Sequence, residues 1–327
     1  MMTLGLDVIV PCHNYGRYLR QCVQSVLRET RLDLRILIID DASTDGAAEE
    51  ACRLAAEDDR IEVRVHPTNQ GHIATFNEGL EWVRQDYMLL LSADDLVAPG
   101  ALMRAVQLME EQSDIAFVFG RAIRFRTESE LPGETAETAE PDALAEVVLG
   151  WDFIGRLCHS AMNPVETATA VVRSTVQKRV GGYAPSLHHS ADFEMWLRCA
   201  RHGRVGEIAA VQAYVRLHGA NMRDGYCSED ALGDYRQRQE AFLSFFDRTN
   251  EGRGRGVLRG VALRNLAQNL LWDASRAVEQ RRDCSEIVAL ALEIHPDIRR
   301  TTQYRRLVIK RGLHQVLGFR KVAHVPG

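Results

Sequence analysis

The first hundred residues alternate between short apolar runs and helix-spaced apolar positions, and few folds accommodate that rhythm. Residues 6–11 and 34–39 are brief apolar runs, and 61–65 and 87–91 complete a set of four strand candidates. Short apolar runs bounded by polar turns suit strands buried in a parallel sheet. Between the first two, Tyr18, Leu19, Cys22, Val23, Val26 and Leu27 recur at the spacing of one helix face. Residues 47–56 and 75–83 read as the next two helices. The order β-α-β-α-β-α-β predicts a doubly wound α/β sheet, with ligand sites beyond the C-terminal ends of its strands.

A helix over 102–111 and a strand over 115–119 continue the pattern. Residues 127–146 then hold seven acidic residues, no basic ones, Pro132, Gly133 and Pro141. That composition predicts a mobile surface insertion. Residues 192–201 read as a helix and 211–217 as a strand. From about residue 229 the pattern is helical, over 235–246, 257–278, 285–294 and 304–317. The "GRGRG" at 252–256 follows no strand, so it carries no dinucleotide fingerprint.

Charge and cysteine content narrow the function. The chain has 327 residues, with 40 Lys and Arg against 45 Asp and Glu, for a net charge of −5. That balance argues against a nucleic-acid binder. Residues 248–327 nevertheless hold 16 basic and 7 acidic residues, so a basic segment follows an acidic body. The seven cysteines are scattered, with no C-x-x-C pair, which excludes zinc-site spacing and a disulfide framework. A reducing, cytoplasmic setting is expected. No apolar run reaches the roughly 18 residues of a membrane span.

Three acidic clusters fall where such a sheet places its site. Asp40 and Asp41 end the second strand, Asp94 and Asp95 follow the fourth, and Asp192 and Glu194 open a later helix. Helix capping accounts for one such cluster. Three together point to a polar cleft, because packed carboxylates need hydrogen bonds or a cation. The first strand runs into "VPCHNYGRYL", without G-x-G-x-x-G, and no G-x-x-x-x-G-K-[ST] occurs. Nicotinamide-type and P-loop sites are therefore disfavoured. What remains is a nucleotide site built from side chains and a divalent cation.

The segments "VIVPCHNYGRYLRQCVQSVL", "ILIIDDASTDG", "NQGHIATFNEGL", "YMLLLSADDLVAPGAL", "VGGY", "SADFEMWLRCARHG" and "YVRLHGANM" occur in one order over residues 4–223. In that order the sequence resembles a family-two inverting glycosyltransferase with the GT-A fold. The resemblance implies a GT-A domain over residues 1–225, with 1–100 as nucleotide-binding half and 101–225 as acceptor half. A helical basic extension would occupy 226–327.

It implies that Pro11, His13, Asn14, Asp41, Asn69 and Asn77 bind the nucleotide, with Asp41 accepting the imide N–H of a uracil. Asp94 would contact the ribose, and Asp95 and His218 would hold Mg²⁺ or Mn²⁺ with the diphosphate. Asp192 would be the catalytic base, and Glu194 would help position the acceptor. One base opposite the leaving group implies a single displacement with inversion. Three positions depart from the family pattern: Phe76 where an Arg is usual, Ser92 where an acid is usual, and Ala191 before the base. His72 is the stand-in for the missing Arg.

The implied reaction moves a sugar from a nucleotide diphosphate sugar, most simply a UDP-sugar, to a hydroxyl acceptor. A surface polysaccharide or glycoconjugate is the implied product. After Asp297 there are eight basic residues and no acidic ones, interleaved with Leu307, Val308, Leu313, Val316, Leu317 and Phe319. Such a segment suits contact with an anionic membrane surface and a lipid-linked acceptor, or packing against another protein face. Two rival readings stay open on sequence: a nucleotidyltransferase that makes sugar nucleotides, and a scaffold that binds one without turnover.

Overall fold

The computed structural model describes residues 4–131, 145–219, 231–248 and 253–322. The chain divides into two compact units, Met1–Ile154 with Asn163–Asp224, and Gly155–Met162 with Gly225–Gly327.

The first unit is built on one sheet. Its strands are β1 (Gly5–Cys12), β2 (Asp33–Asp40), β3 (Ile61–Val65), β4 (Tyr87–Leu90), β5 (Leu96–Val97), β6 (Ile115–Phe125), β7 (Ala145–Val148), β8 (Val171–Arg173) and β9 (Arg204–Arg216). The spatial order is β3-β2-β1-β4-β8-β6-β9-β5, with β7 also pairing β9. The four strands β3, β2, β1 and β4 are mutually parallel. β6 and β9 share their direction, whereas β5, β7 and β8 run against it. The sheet is therefore mostly parallel, with its antiparallel pairings confined to the half beyond β4.

Helices α1 (Gly16–Leu27), α2 (Ala47–Glu57), α3 (His72–Trp82) and α4 (Ala101–Glu111) follow β1, β2, β3 and β5. Leu19, Cys22, Val23 and Val26 on α1 are buried, which is the stripe expected from their spacing. They join Val8, Val10, Ile36, Ile38 and Leu89 in one core. Sequential strands lie to one side of β1, and β4 lies to the other. That reversal opens a crevice beyond the C-terminal ends of β1 and β4, the place where open α/β sheets bind ligands. Helices α5 (Gly150–Ser160), α6 (Ser174–Val180) and α7 (Ala191–Ala200) come later in the chain.

Several elements exceed their sequence signals. β6 runs on to Phe125 and β9 begins at Arg204, because the two pair along their length despite polar side chains in Arg121–Phe125. Helix α3 begins at His72 rather than Thr75. Gly71 precedes it at φ +85°, a conformation that frees the first turn. The acidic insertion is not wholly a surface loop: Ala145 and Glu146 belong to β7 and pair with Ile208 and Glu207. Residues 132–144 of that segment lie outside the described residues.

The second unit is helical among the described residues. It contains α8 (Ala231–Arg248), α9 (Arg253–Glu279), α10 (Ser285–Ile294) and α11 (Thr302–Val322). Phe242, Phe245, Leu266, Leu270, Leu290, Ala291 and Ile298 form its buried interior. Lys310 ties α11 to α9 by donating to Ser275 O and Oγ and to Glu279. Among the described residues, no helix is long and apolar enough to cross a membrane.

Candidate active site

The crevice is a cleft of about 380 Å³, within the range of ligand pockets. Pro11, His13, Asp41, Asn69, Asp94 and Asp95 all line it, so the structure brings six of the expected site residues to one surface. They arrive from four strand ends: β1 and its loop, the β2 loop, the β3 loop with Asn69, and the segment after β4.

Asp41 is the most heavily bonded of them. Its Oδ1 accepts from the Gln70 N–H at 2.7 Å and from His66 Nδ1 at 2.8 Å, and its Oδ2 accepts from the Gly71 N–H at 2.9 Å. Burial alone would raise its pKa, but these donors outweigh burial and hold the carboxyl below its ordinary value. His13 Nδ1 donates to the Asp41 carbonyl at 2.7 Å, and the Asn69 amide donates to His13 Nε2 at 3.2 Å. Asn14 lies outside the cleft lining. Its N–H donates to Ser43 Oγ and its Oδ1 accepts from the Thr44 N–H, which fastens the β1 loop to the β2 loop.

Asp94 and Asp95 form the second carboxylate group. Asp94 is buried and Asp95 half-buried. His218 Nε2 donates to Asp94 Oδ2 at 3.0 Å, the Arg216 N–H donates to Asp95 Oδ1 at 3.0 Å, and Arg216 Nε donates to Asp94 O. Desolvation, then the adjacent Asp94 charge, push the Asp95 carboxyl well above the usual carboxylate range. Among the described residues no three His, Cys, Asp or Glu side chains converge as a metal cage. The carboxylate pair still fits Mg²⁺ or Mn²⁺, since such ions use one or two carboxylates and take further ligands from phosphates and water. Relief of the repulsion between the two carboxylates is the physical gain.

Asp192 sits in the first turn of α7, half-buried and not among the cleft-lining residues. Its Oδ2 accepts from Asn163 Nδ2 at 2.9 Å and its Oδ1 from the Phe193 N–H. Burial raises its pKa to about 6, and the Glu166 charge adds to the rise. Glu166 lines the cleft, pairs with Arg124, and raises Asp95 as well, so it is within electrostatic reach of both acids.

Two further expectations meet a different geometry. Glu194 is fully buried and bonded to Arg198 Nε at 2.8 Å, so it has no exposed oxygen to position an acceptor. Asn77 also lies outside the lining, because its amide is spent on the Tyr183 backbone. His72 and Phe76 do line the cleft, with ring centroids 5.5 Å apart. Burial lowers the His72 pKa, and its Nε2 donates to His188 O. Burial thus disfavours the charged ring at the position that the sequence offered as stand-in for the missing guanidinium.

Sequence reasoning missed Glu166, Arg216, Tyr15 and His66. Glu166 precedes a single 3-10 turn and belongs to no periodic pattern. Arg216 stood in a quoted motif without a role. Its guanidinium lies 4.4 Å from the Tyr18 ring centroid and 4.5 Å from that of Phe125.

Residues 7–164 match the model of the family described as Glycosyl transferase family 2. The glycosyltransferase GlyG of Streptococcus pneumoniae is 31% identical over 108 residues, covering 33% of this chain and 36% of that protein. Across the first such relatives, the aligned part spans 36% to 66% of their own length. Among solved structures, S. aureus TarS 1–349 in complex with UDP-GlcNAc superposes with a TM-score of 0.64 at 16% identity, covering 89% of this chain and 80% of that one. The mannosyltransferase PcManGT from Pyrobaculum calidifontis, in complex with GDP-Man and Mn²⁺, gives 0.50 at 14% identity, covering 100% and 89%. Fold, motif order and family match agree: residues 7–164 carry the pattern of glycosyltransferase family 2, and the chain has the GT-A fold.

Proposed function

We propose that this protein is an inverting, metal-assisted glycosyltransferase that moves a sugar from a nucleotide diphosphate sugar, a UDP-sugar in the first instance, to a hydroxyl acceptor. One observation carries the reading. A single cleft at the sheet's reversal point is lined by Asp41 on the β2 side of β1 and by Asp94 and Asp95 on the β4 side. A nucleoside diphosphate has a base at one end and an anionic diphosphate at the other, and that division of labour suits it. TarS with UDP-GlcNAc and PcManGT with GDP-Man and Mn²⁺ support it by likeness of fold.

In this reading Pro11, His13, Asn69 and Asp41 hold the base, and Asp94 holds the ribose. Asn14 and Asn77 act indirectly, by fixing the loops around them. Asp95 and His218 would hold Mg²⁺ or Mn²⁺, which when bound stabilises negative charge on the departing diphosphate. Asp192 takes the acceptor hydroxyl's proton as that oxygen bonds to the anomeric carbon. The bond from that carbon to the diphosphate breaks in the same displacement, so the configuration inverts. Asn163 keeps the Asp192 carboxylate oriented. A base with a pKa near 6 is mostly ionised at neutral pH and more basic than an ordinary aspartate.

The acceptor we propose is lipid-linked, in polysaccharide or glycoconjugate synthesis at the cytoplasmic face of a membrane. On α11, Val308, Ile309 and Leu313 are exposed beside exposed Arg305 and Arg306. An apolar stripe flanked by arginines suits an anionic lipid surface. Co-sedimentation with vesicles containing phosphatidylglycerol, but not with pure phosphatidylcholine, is the expected result.

The deciding experiment is thermal stabilisation by UDP, GDP, dTDP and CDP, with and without Mn²⁺. A nucleotide at 100 times its Kd stabilises by about 2.7 kcal/mol. Asp95→Ala should abolish the dependence on Mn²⁺. Asp192→Asn should keep nucleotide binding and lose transfer. If no nucleoside diphosphate shifts the melting curve, the transferase reading fails.

A further inference from the structure

His66 bonds a residue that lines the cleft, yet it does not line it itself. It follows β3, and its N–H donates to Asp40 O at 2.9 Å, extending the β2–β3 ladder. The side chain is 7% exposed. Its ring bridges two carboxylates: Nδ1 lies 2.8 Å from Asp41 Oδ1, and Nε2 lies 2.7 Å from Glu78 Oε2. An ionised carboxylate only accepts hydrogen bonds. Both ring nitrogens must therefore donate, which only the imidazolium can do. A neutral ring would turn a lone pair toward one of the two carboxylates.

The surroundings hold the bridge in that state. Glu78 on α3 is also bound by Arg64 Nη1 at 3.1 Å, and Arg64 bonds Glu62 as well. His13 on the β1 loop donates to the Asp41 carbonyl, not to its carboxylate. The charged groups facing His66 are thus Asp41 and Glu78, with Arg64 behind Glu78. Desolvation would lower the His66 pKa, but the bonds to Asp41 and then Glu78 outweigh it and raise the pKa above its ordinary value.

A carboxylate offers about four lone-pair positions. On Asp41 three are taken, by His66 and the Gln70 N–H on Oδ1 and by the Gly71 N–H on Oδ2. The fourth, on Oδ2, is left for a ligand on the cleft wall that Asp41 lines.

We infer that His66 is a positioning residue that keeps Asp41 an ionised, acceptor-only group, and so selects nucleotides whose base presents a ring N–H. This rests on the transferase reading. Uracil and thymine offer N3–H and guanine offers N1–H, all donors to a carboxylate. Cytosine and adenine present ring nitrogen acceptors at those positions, which an ionised Asp41 repels. Without the imidazolium a ring lone pair faces one of the two carboxylates, the bridge that aims Asp41 at the base is broken, and the discrimination is lost. Rejection of this kind is strong because a buried polar group would be left unpaired.

The test is calorimetric titration of UDP and CDP, with Mn²⁺, into the full chain and into His66→Gln, between about pH 6 and 8.5. The wild type should prefer UDP by at least about tenfold, a difference of one decade in Kd. His66→Gln should lose about tenfold in UDP affinity, keep its CDP affinity, and so erase the preference. Wild-type UDP affinity should fall as pH rises through the His66 pKa, and the fall should be absent in His66→Gln. Glu78→Gln leaves both His66 and Asp41 in place but removes one carboxylate, so it should move that fall to lower pH; it serves as the second variant if His66→Gln does not fold. An unchanged UDP-to-CDP ratio in His66→Gln, or an unmoved pH limb in Glu78→Gln, overturns the role of His66 while the transferase reading stands. If the wild type binds no nucleoside diphosphate at all, both fall together.

Discussion

Asn77 and Tyr183, 106 residues apart in the chain, exchange two hydrogen bonds: Asn77 Nδ2 donates to Tyr183 O at 3.1 Å, and the Tyr183 N–H donates to Asn77 Oδ1 at 2.7 Å. This pair binds α3, from the nucleotide-binding half, to the loop that leads toward α7 and Asp192. The approach is close. A Cβ on Gly182 would stand 2.5 Å from Asn77 Oδ1, well inside contact distance. The glycine is therefore there for space.

Gly182→Ala should push the Asn77 amide off the Tyr183 backbone and cost about 1–3 kcal/mol. Asn77→Ala should cost a similar amount, about 1–3 kcal/mol, by leaving the Tyr183 N–H and C=O unpaired. Because both changes break the same pair of bonds, the double variant should cost clearly less than the sum. Urea denaturation of the three variants measures this. Additive losses would mean that the two residues act separately.

The buried Glu194–Arg198 pair predicts a second asymmetry. Arg198 also donates to Val180 O at 2.6 Å and to Gly182 O at 2.9 Å, so one guanidinium ties α7 to the same loop. Arg198→Ala removes the guanidinium bonded to a fully buried carboxylate and should destabilise by about 3–5 kcal/mol. Replacing both partners, as Glu194→Leu with Arg198→Met, should cost less than Arg198→Ala alone, since no uncompensated charge remains. Equal losses in the two proteins, read from chemical denaturation midpoints, would assign the stability to the bonds to Val180 and Gly182 instead.

What the sequence disclosed and what it hid follow from the range of the forces involved. β1 and β2 were legible because burial on both faces leaves a nearly continuous apolar run, interrupted inside the strands by Asp7 and Arg35, and α1 because one buried face repeats at helical spacing. β5 and β8 have two and three residues, too few for any period to emerge. The polar second half of β6 is a strand because β9 lies beside it, which no local pattern announces. The same division holds in the cleft. Asp41 directly follows β2, and Asp94 and Asp95 lie in the segment just beyond β4, on the edge of the sheet that faces the crevice. Glu166 and His66 gain their importance from partners distant in sequence: Arg124 lies 42 residues from Glu166, and Asp41 lies 25 residues from His66. Asp192 and Glu194 look alike in sequence and differ in the fold, since one keeps a half-buried carboxylate and the other is closed off by Arg198.

The environment of Asp192 fixes how activity should depend on pH. Burial raises its pKa to about 6, and Glu166 contributes through its negative charge. A protonated Asp192 cannot accept the acceptor's proton, so kcat/KM should fall on the acid side with a midpoint near 6 and unit slope. Glu166→Gln removes a charge that favours the protonated form, so the midpoint should move to lower pH. Asp192→Asn should lower kcat by about 10²–10⁴-fold and abolish the acid limb. Stability runs the other way. A carboxyl whose folded pKa exceeds its unfolded value favours folding most below the unfolded pKa, and that contribution is lost as pH rises through about 6. Asp192→Asn should therefore be most stabilising, relative to the wild type, above pH 6, where the wild type must hold a partly desolvated charge. A pH–rate profile combined with melting curves at acid and neutral pH separates the two effects. An acid limb that persists in Asp192→Asn would assign the base to another residue, and Glu166, which lines the cleft, would be the next to test.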